Sequence, residues 1–376
     1  MSALAVIFGG PSLEHDVSIL TGLQASRVLV QAGAEPVAIY WSESGDWFRV
    51  PADLEASAFL DGTPADARPI HVDVTGKEAG FSEARALGRR SLLELRAAVI
   101  CCHGGLGEDG RLQSILDVAK VPYTGPNSLC ASLSMDKLAF SGLIHDAGLP
   151  ALTRVNFDES SSTPPFAGPY VLKPRFGGSS IGVEVVKDLE TARSLVGTSP
   201  YYRRGAVLEP YHSGIEDLYI AIRTYPKLQL SLVERPRAAA DVSAIYGYRE
   251  KYLRAAAAES QTSEIPATLP SEIEKRLLEC AAEVAGLTRL TGNARLDFLW
   301  NGSELWVNEL NPVPGALAFR LWAASGVQRQ QLLEDMIAEA VSLGSAGANF
   351  DAIDRYAADR KRQTLQTAGK IAQKLL

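Results

Sequence analysis

The chain has 376 residues, 46% of them hydrophobic and 22% charged. This is the balance of a folded globular protein rather than a disordered one, and the length points to two or three packed units of ~100–200 residues. No apolar run approaches the ~18 residues that span a bilayer, and a formal net charge of −7 speaks against the basic surface that nucleic-acid binding requires.

"ALAVIF" near the start reads as a strand, with no basic leader or cleavage site before it, so a core element and a cytoplasmic protein are expected. "GGPSLEH" is a loop and "DVSILTGLQASRVLVQAG" a helix, with Asp16 placed to cap it and Gly33 to end it. "PVAIYW" is the next strand, and positions 42 to 80 carry no clear pattern. "RSLLELRAAVICC" reads as a helix end running into a strand, and "HGGLGEDGRLQSILDVA" as a loop feeding a helix. Strands alternating with helices make an α/β unit of residues 1–125. After Pro126, "SLSMDKLAFSGLIHDAGLP" is a helix stopped by Gly148 and Pro150. The strands "PYVLKP", "IGVEVVK", "AVLEPY", "LYIAIRTY" and "LQLSLVERP" follow, with the helix "DLETARSLV" among them. Positions 237 to 268 read as a long loop. A helix over 270–287, a strand "NARLDFLW", an Asn301-Gly302 hairpin turn and a strand "ELWVNEL" come next, and "QLLEDMIAEAVSL" is a helix expected to close the last core. Units of 126–213 and 214–346 are expected, then a basic amphipathic tail over 347–376 that reads as a solvated helix. Cys101, Cys102, Cys130 and Cys280 have neither metal-site nor disulfide spacing and read as buried, reduced thiols.

Three stretches carry chemistry. "YVLKPRFGGSSIGVEVV" sets a lysine, a glycine-rich turn and paired serines between strands. Successive N–H groups in such a turn form an anion-binding concavity, although a plain hairpin turn with a surface lysine has the same pattern. "AVLEPYHSGIED" supplies Glu209, Tyr211, Glu216 and Asp217, which suit an adenosine slot with a carboxylate for ribose. In "RLDFLWNGSELWVNELN" a hairpin carries Asp297 on one strand and Glu309 and Asn311 on the other. Residues two apart share a face, so three hard oxygen donors can converge, a set suited to Mg²⁺ that keeps waters and phosphate oxygens as its other ligands, although a solvated hairpin face has the same pattern. Arg295 shares the face of Asp297.

These segments, together with "VIFGGPSLEHDVS", "HGGLGEDGRLQSIL", "PYTG", "SMDK", "YREKYL" and "NELNPVPG", resemble the D-alanine–D-alanine ligase family of the ATP-grasp superfamily over almost the whole length. The resemblance implies an α/β (α+β) ATP-grasp fold of three domains, with ATP in a cleft between the central and C-terminal domains. It also implies cytoplasmic peptide-bond synthesis through an acyl phosphate, with ATP, two Mg²⁺ (or Mn²⁺) ions, amino-acid substrates and a homodimer. Glu14 then holds the ammonium of the first amino acid, with His103 nearby. Lys137 and Lys173 bind phosphates, and the loop with Ser179 and Ser180 folds over the site. Glu209 and Tyr211 line the adenine slot, Glu216 (or Asp217) reaches the ribose, and Lys251 and Tyr252 belong to a mobile loop. Asp297, Glu309 and Asn311 carry the metal, while Arg295 and the Gly315 backbone stabilise the oxyanion.

The pattern breaks at the acceptor. Family members typically continue N-T-x-P-G-M-T-x-x-S-L, whereas this chain reads "NPVPGALAFRL", with Pro312 for threonine, Ala316-Leu317 for Met-Thr and Arg320 for serine. Pro210 stands where a lysine is usual near adenine. Arg320 and Leu321 occupy the positions that meet the acceptor's carboxylate. The guanidinium either anchors that carboxylate through paired hydrogen bonds or pairs with a neighbouring acid. The second substrate is therefore open between D-alanine, for cell-wall precursors, and another amino acid, for natural-product (antibiotic) synthesis. A non-catalytic nucleotide-binding relative is a third reading, against which the retained Glu14, Lys137, Lys173, Asp297, Glu309 and Asn311 argue.

Overall fold

A computed structural model describes residues 2–75, 79–84, 89–236 and 263–344. Lys251, Tyr252 and the tail 347–376 lie outside the described residues.

The first sheet has seven strands. One side of it is parallel: Ala3–Gly9 lies between Val37–Trp41 and Leu95–Ile100, with Ile7 opposite both Ile39 and Ile100. These strands are buried along most of their length, which is why they read as unbroken apolar runs. The patternless region 42–80 supplies antiparallel strands Trp47–Val50 and Arg68–Asp73, and Gly80–Ala84 continues that side of the sheet. The helix end expected before "AAVICC" is instead extended chain. Arg90–Leu92 is the edge strand, and Leu93 N–H donates to Phe81 O at 2.7 Å. The leucine spacing mimicked a helix turn, but the backbone bonds go to the sheet.

The helix His15–Gln31 packs on this sheet through Gly22, where a Cβ would meet Phe8 side-chain atoms at 2.3–2.5 Å. Glu14, not Asp16, is its N-cap residue, and Asp16 lies in the first turn. The helix Arg329–Leu343, expected to close the last core, instead adds Leu332, Leu333, Met336 and Ile337 to this first one. Val313, Leu317, Phe319, Leu321 and Trp322 join the same core, so the N-terminal sheet is completed by the other end of the chain.

The segment 128–146 forms two helices, Ser128–Met135 and Lys137–Asp146. Asp136 interrupts them with ψ of 98°, and its carboxylate accepts from the N–H groups of Leu138 and Ala139. Two four-stranded antiparallel sheets follow. One orders Glu184–Val186, Tyr170–Pro174, Ala206–Pro210 and Val155–Phe157 over a small core with the helix Leu189–Thr198. The other orders Gln229–Leu230, Glu216–Arg223, Asn293–Trp300 and Leu305–Asn311 against the helix Ser271–Leu287. All four cysteines are buried free thiols. No helix among the described residues is long and apolar enough to cross a membrane.

Candidate active site

The two four-stranded sheets face each other across a cleft of about 670 Å³. Lys173 and Glu209 come from adjacent strands of the first sheet, and Lys173 Nζ lies 2.7 Å from Glu209 Oε2. Arg154 Nε holds the other oxygen at 2.5 Å. Burial alone would raise the Glu209 pKa, but Arg154 and Lys173 pull it down to about 2. Burial pushes the Lys173 pKa down, partly offset by Glu209. Tyr211 and Ser180 line the same cleft, as do both Glu216 and Asp217. Strand register puts Asp217 beside Leu299 and Tyr219 beside Asp297, so alternation gives Asp217 the face of Asp297. Glu216 pairs with Arg235 at 3.4 Å.

On the facing sheet Asp297 lies directly opposite Glu309, and Arg295 opposite Asn311. The expected oxygen trio therefore shares one face of the hairpin. Asp297 accepts from Arg295 through both oxygens, at 2.6 and 2.7 Å, and the guanidinium stacks 4.5 Å over the Tyr219 ring. Asn311 Nδ2 donates to Arg295 O at 3.4 Å. Among the described residues no cluster of three or more His, Cys, Asp or Glu is placed for a metal. The trio has two carboxylates and one amide oxygen, which fits a hard cation that takes its remaining oxygens from water and phosphate.

Lys137, the first residue of its helix, joins the two halves: Nζ donates to Gly177 O at 2.5 Å and lies 3.3 Å from Glu309 Oε2. Gly177 opens the glycine loop, in which Ser179 and Ser180 have φ of 53° and 58°. Ser179 donates its hydroxyl to Glu14 Oε1, closing the loop on the first domain. The carboxylate of Glu14 is so tightly enclosed that a Cβ on Gly104 would sit 2.3 Å from its Oε2. Glycine is required there.

His103 is bonded on both sides. Nδ1 donates to Val313 O at 2.8 Å, which leaves Nε2 to accept from Thr21 Oγ1 at 2.7 Å. Thr21 in turn accepts the Ala316 N–H at 3.2 Å. Burial lowers the His103 pKa to about 4, so the ring is neutral. It ties the Val313–Ala316 segment to the first domain rather than pointing a nitrogen at substrate. Glu108, not singled out in the sequence, serves the same segment by accepting from Gly104 N at 2.6 Å and Val313 N at 3.1 Å. Its pKa is raised by burial and by Glu14 nearby. Gly315 starts a turn in which Ala316, Leu317 and Ala318 are all left-handed, with φ of 47° to 54°.

Arg320 lines neither this cleft nor the small one beside Glu14. Its guanidinium donates to Glu234 and Ser263, and Glu234 is buried. Of the two readings of this residue, pairing with a neighbouring acid is what the geometry realises. Leu321 is a core side chain at 3% exposure, so only its backbone is left to meet a ligand.

A lysine-and-glycine-loop sheet closing on an acidic hairpin sheet defines an ATP-grasp ligase. The family models agree: "D-ala D-ala ligase N-terminus" matches residues 3–126 and "D-ala D-ala ligase C-terminus" residues 155–338. The chain belongs to the D-alanine–D-alanine ligase family. It is 30% identical over 355 residues to D-alanine–D-alanine ligase A of Mesorhizobium japonicum, covering 90% of this chain and 97% of that one. Among solved structures, the D-alanine–D-alanine ligase of Coxiella burnetii aligns with a TM-score of 0.74 at 21% identity, over 95% of this chain and 100% of that one. The VanG D-Ala:D-Ser ligase of Enterococcus faecalis aligns at 0.71 with 23% identity, over 90% and 99%.

Proposed function

We propose that the protein uses ATP to activate the carboxylate of one D-alanine and joins it to the amine of a second, a step of peptidoglycan precursor synthesis in the cytoplasm. The observation that carries this reading is Asp297 opposite Glu309 on the wall facing Lys173, with Lys137 spanning the gap.

Each residue then has a task. Glu14 holds the ammonium of the first substrate, and its bond to Ser179 keeps the glycine loop over the site. Lys137 and Lys173 hold the nucleotide phosphates, while Glu209 and Tyr211 border the base. A carboxylate is a poor electrophile until phosphorylated; the resulting acyl phosphate is attacked by the second amine, and phosphate leaves. Arg295 and the Gly315 backbone serve the oxyanion formed in that attack. Closure of the serine loop excludes the water that would hydrolyse the acyl phosphate. Asp297, Glu309 and Asn311 would hold two Mg²⁺ (or Mn²⁺) ions, which when bound would supply charge neutralisation at the nucleotide phosphates. A homodimer is the expected assembly, as the family implies.

A second reading keeps this chemistry and changes the second amino acid. It is favoured by Ala316 and Leu317, which offer no side-chain hydroxyl where the family has Met-Thr, and the fold relative named for D-Ala:D-Ser ligation shows that the fold accommodates another acceptor. A panel of D- and L-amino acids with ATP separates the two. Glu309→Gln keeps the shape and removes a charge, and should lower amino-acid-dependent ADP release by at least ~10²-fold in a folded protein. Undiminished release would exclude the metal assignment.

A further inference from the structure

Arg154 belongs to no motif recognised in the sequence, yet its side chain is only 1% exposed. Nε donates to Glu209 Oε1 at 2.5 Å. Nη2 donates to Asn308 Oδ1 at 2.5 Å and Nη1 to Asn308 O at 2.8 Å, with a longer bond to Lys137 O at 3.4 Å. Glu209 and Asn308 line the nucleotide cleft from opposite sheets, and Arg154 does not. It stands behind both walls and joins them.

Two consequences follow from these contacts. The first is charge. Glu209 lies between two cations, so the buried cluster keeps a net positive charge beside the cleft; without Arg154, Glu209 and Lys173 would neutralise each other. The second is aim. Asp297 opposes Glu309 and Phe298 opposes Val307, which leaves Asn308 as the extra residue of a β-bulge. A bulge bends its strand and redirects the neighbouring side chain, here Glu309. The guanidinium grips Asn308 through both its backbone and side-chain oxygens.

We propose that Arg154 is a positioning residue of the nucleotide site: it leaves the charge of Lys173 available to phosphate and clamps the bulge that aims Glu309 at the metal. This inference rests on the ligase reading above. It is tested by calorimetric titration with ADP, without amino acids, in Mg²⁺ and in EDTA, for the wild type, Arg154→Met and Arg154→Lys. Arg154→Met should weaken ADP binding about 10-fold or more in EDTA and further in Mg²⁺. Arg154→Lys restores the charge but not the fork, so it should stay within about 3-fold of wild type in EDTA and lose most of the Mg²⁺-linked gain. A folded Arg154→Met that binds ADP as the wild type does in both media overturns the positioning role alone. So does an Arg154→Lys that keeps the whole Mg²⁺ gain, and this second variant decides the matter if Arg154→Met does not fold. A wild type that binds no ADP overturns the ligase reading and this inference with it.

Discussion

The His103 imidazole donates to Val313 and accepts from Thr21, and a second proton on the ring removes the lone pair that Thr21 uses. Its pKa of about 4 lies below the ordinary 6.5. Between those values the unfolded chain binds a proton that the native state refuses. Stability from this group is therefore complete above about pH 6.5 and falls as pH drops towards 4, by on the order of 3 kcal/mol. His103→Asn keeps a donor for Val313 but does not titrate, so urea unfolding at pH 7 and pH 4.5 should show a smaller difference than in the wild type; an equal difference would assign the acid sensitivity elsewhere. Glu14 makes a separate claim. Loss of a charge-assisted contact to an ammonium costs about 1.5–3 kcal/mol, so Glu14→Gln should raise KM for the first amino acid ~10- to 150-fold and leave KM for ATP nearly unchanged. A shift in ATP affinity instead would move Glu14 out of the substrate site. The convergence of Asp297, Glu309 and Asn311 on one face was legible in the sequence because the Asn301-Gly302 turn and strand alternation fix the register locally. Arg154 was not, because its partners Glu209 and Asn308 are 55 and 154 residues away and nothing local distinguishes it from a surface arginine.

Among the elements, the short helix Phe319–Ala324 carries one of the departures from the family pattern, Arg320. Arg320 reaches from it to Glu234, which precedes the ribbon pairing Arg235 with Glu264 and Pro236 with Ser263, and to Ser263 within it. Glu234 also exchanges backbone bonds with Tyr219, at 2.8 and 2.9 Å, beneath the Arg295 guanidinium. Arg320 is thus a tie between this helix and the chain at Glu234 and Ser263. Arg320→Ser restores the family residue and strands a buried carboxylate. It should cost ~1 kcal/mol, the low end of the range because the guanidinium itself is mostly exposed, and should leave the choice of acceptor unchanged. A changed acceptor profile in that variant would put the guanidinium in the pocket after all. The element boundaries explain what the sequence concealed. The paired helices around Asp136 read as one because the periodicity runs through the break, and the strands within 42–80 were illegible because they are short and only partly buried, without the apolar continuity of the parallel strands.

At the scale of the molecule, the first sheet and the last described helix are built together. The helix Arg329–Leu343 buries Leu332, Leu333, Met336 and Ile337 in the N-terminal core. From the same helix Glu339 accepts Gly292 N–H at 2.8 Å and the Thr224 hydroxyl at 2.6 Å, reaching the catalytic sheet. Gly292 and Gly125 meet so closely that a Cβ on the former would lie 2.5 Å from the latter's Cα. The first domain, which carries Glu14, and the hairpin, which carries Asp297 and Glu309, are therefore held in one frame. That arrangement suits a reaction whose two amino acids and nucleotide must meet at one point, and positioning of this kind lowers a barrier without new chemistry. Local periodicity could not reveal it, since each contact joins distant parts of the chain. The most direct test of the central claim is the stoichiometry of a single reaction: purified protein, ATP, Mg²⁺ and D-alanine, with ADP, phosphate and dipeptide measured together. The account predicts equal amounts of D-alanyl-D-alanine, ADP and phosphate, all dependent on the amino acid. AMP and pyrophosphate in place of ADP, or ADP release with no peptide formed from D-alanine or any other amino acid, would contradict it.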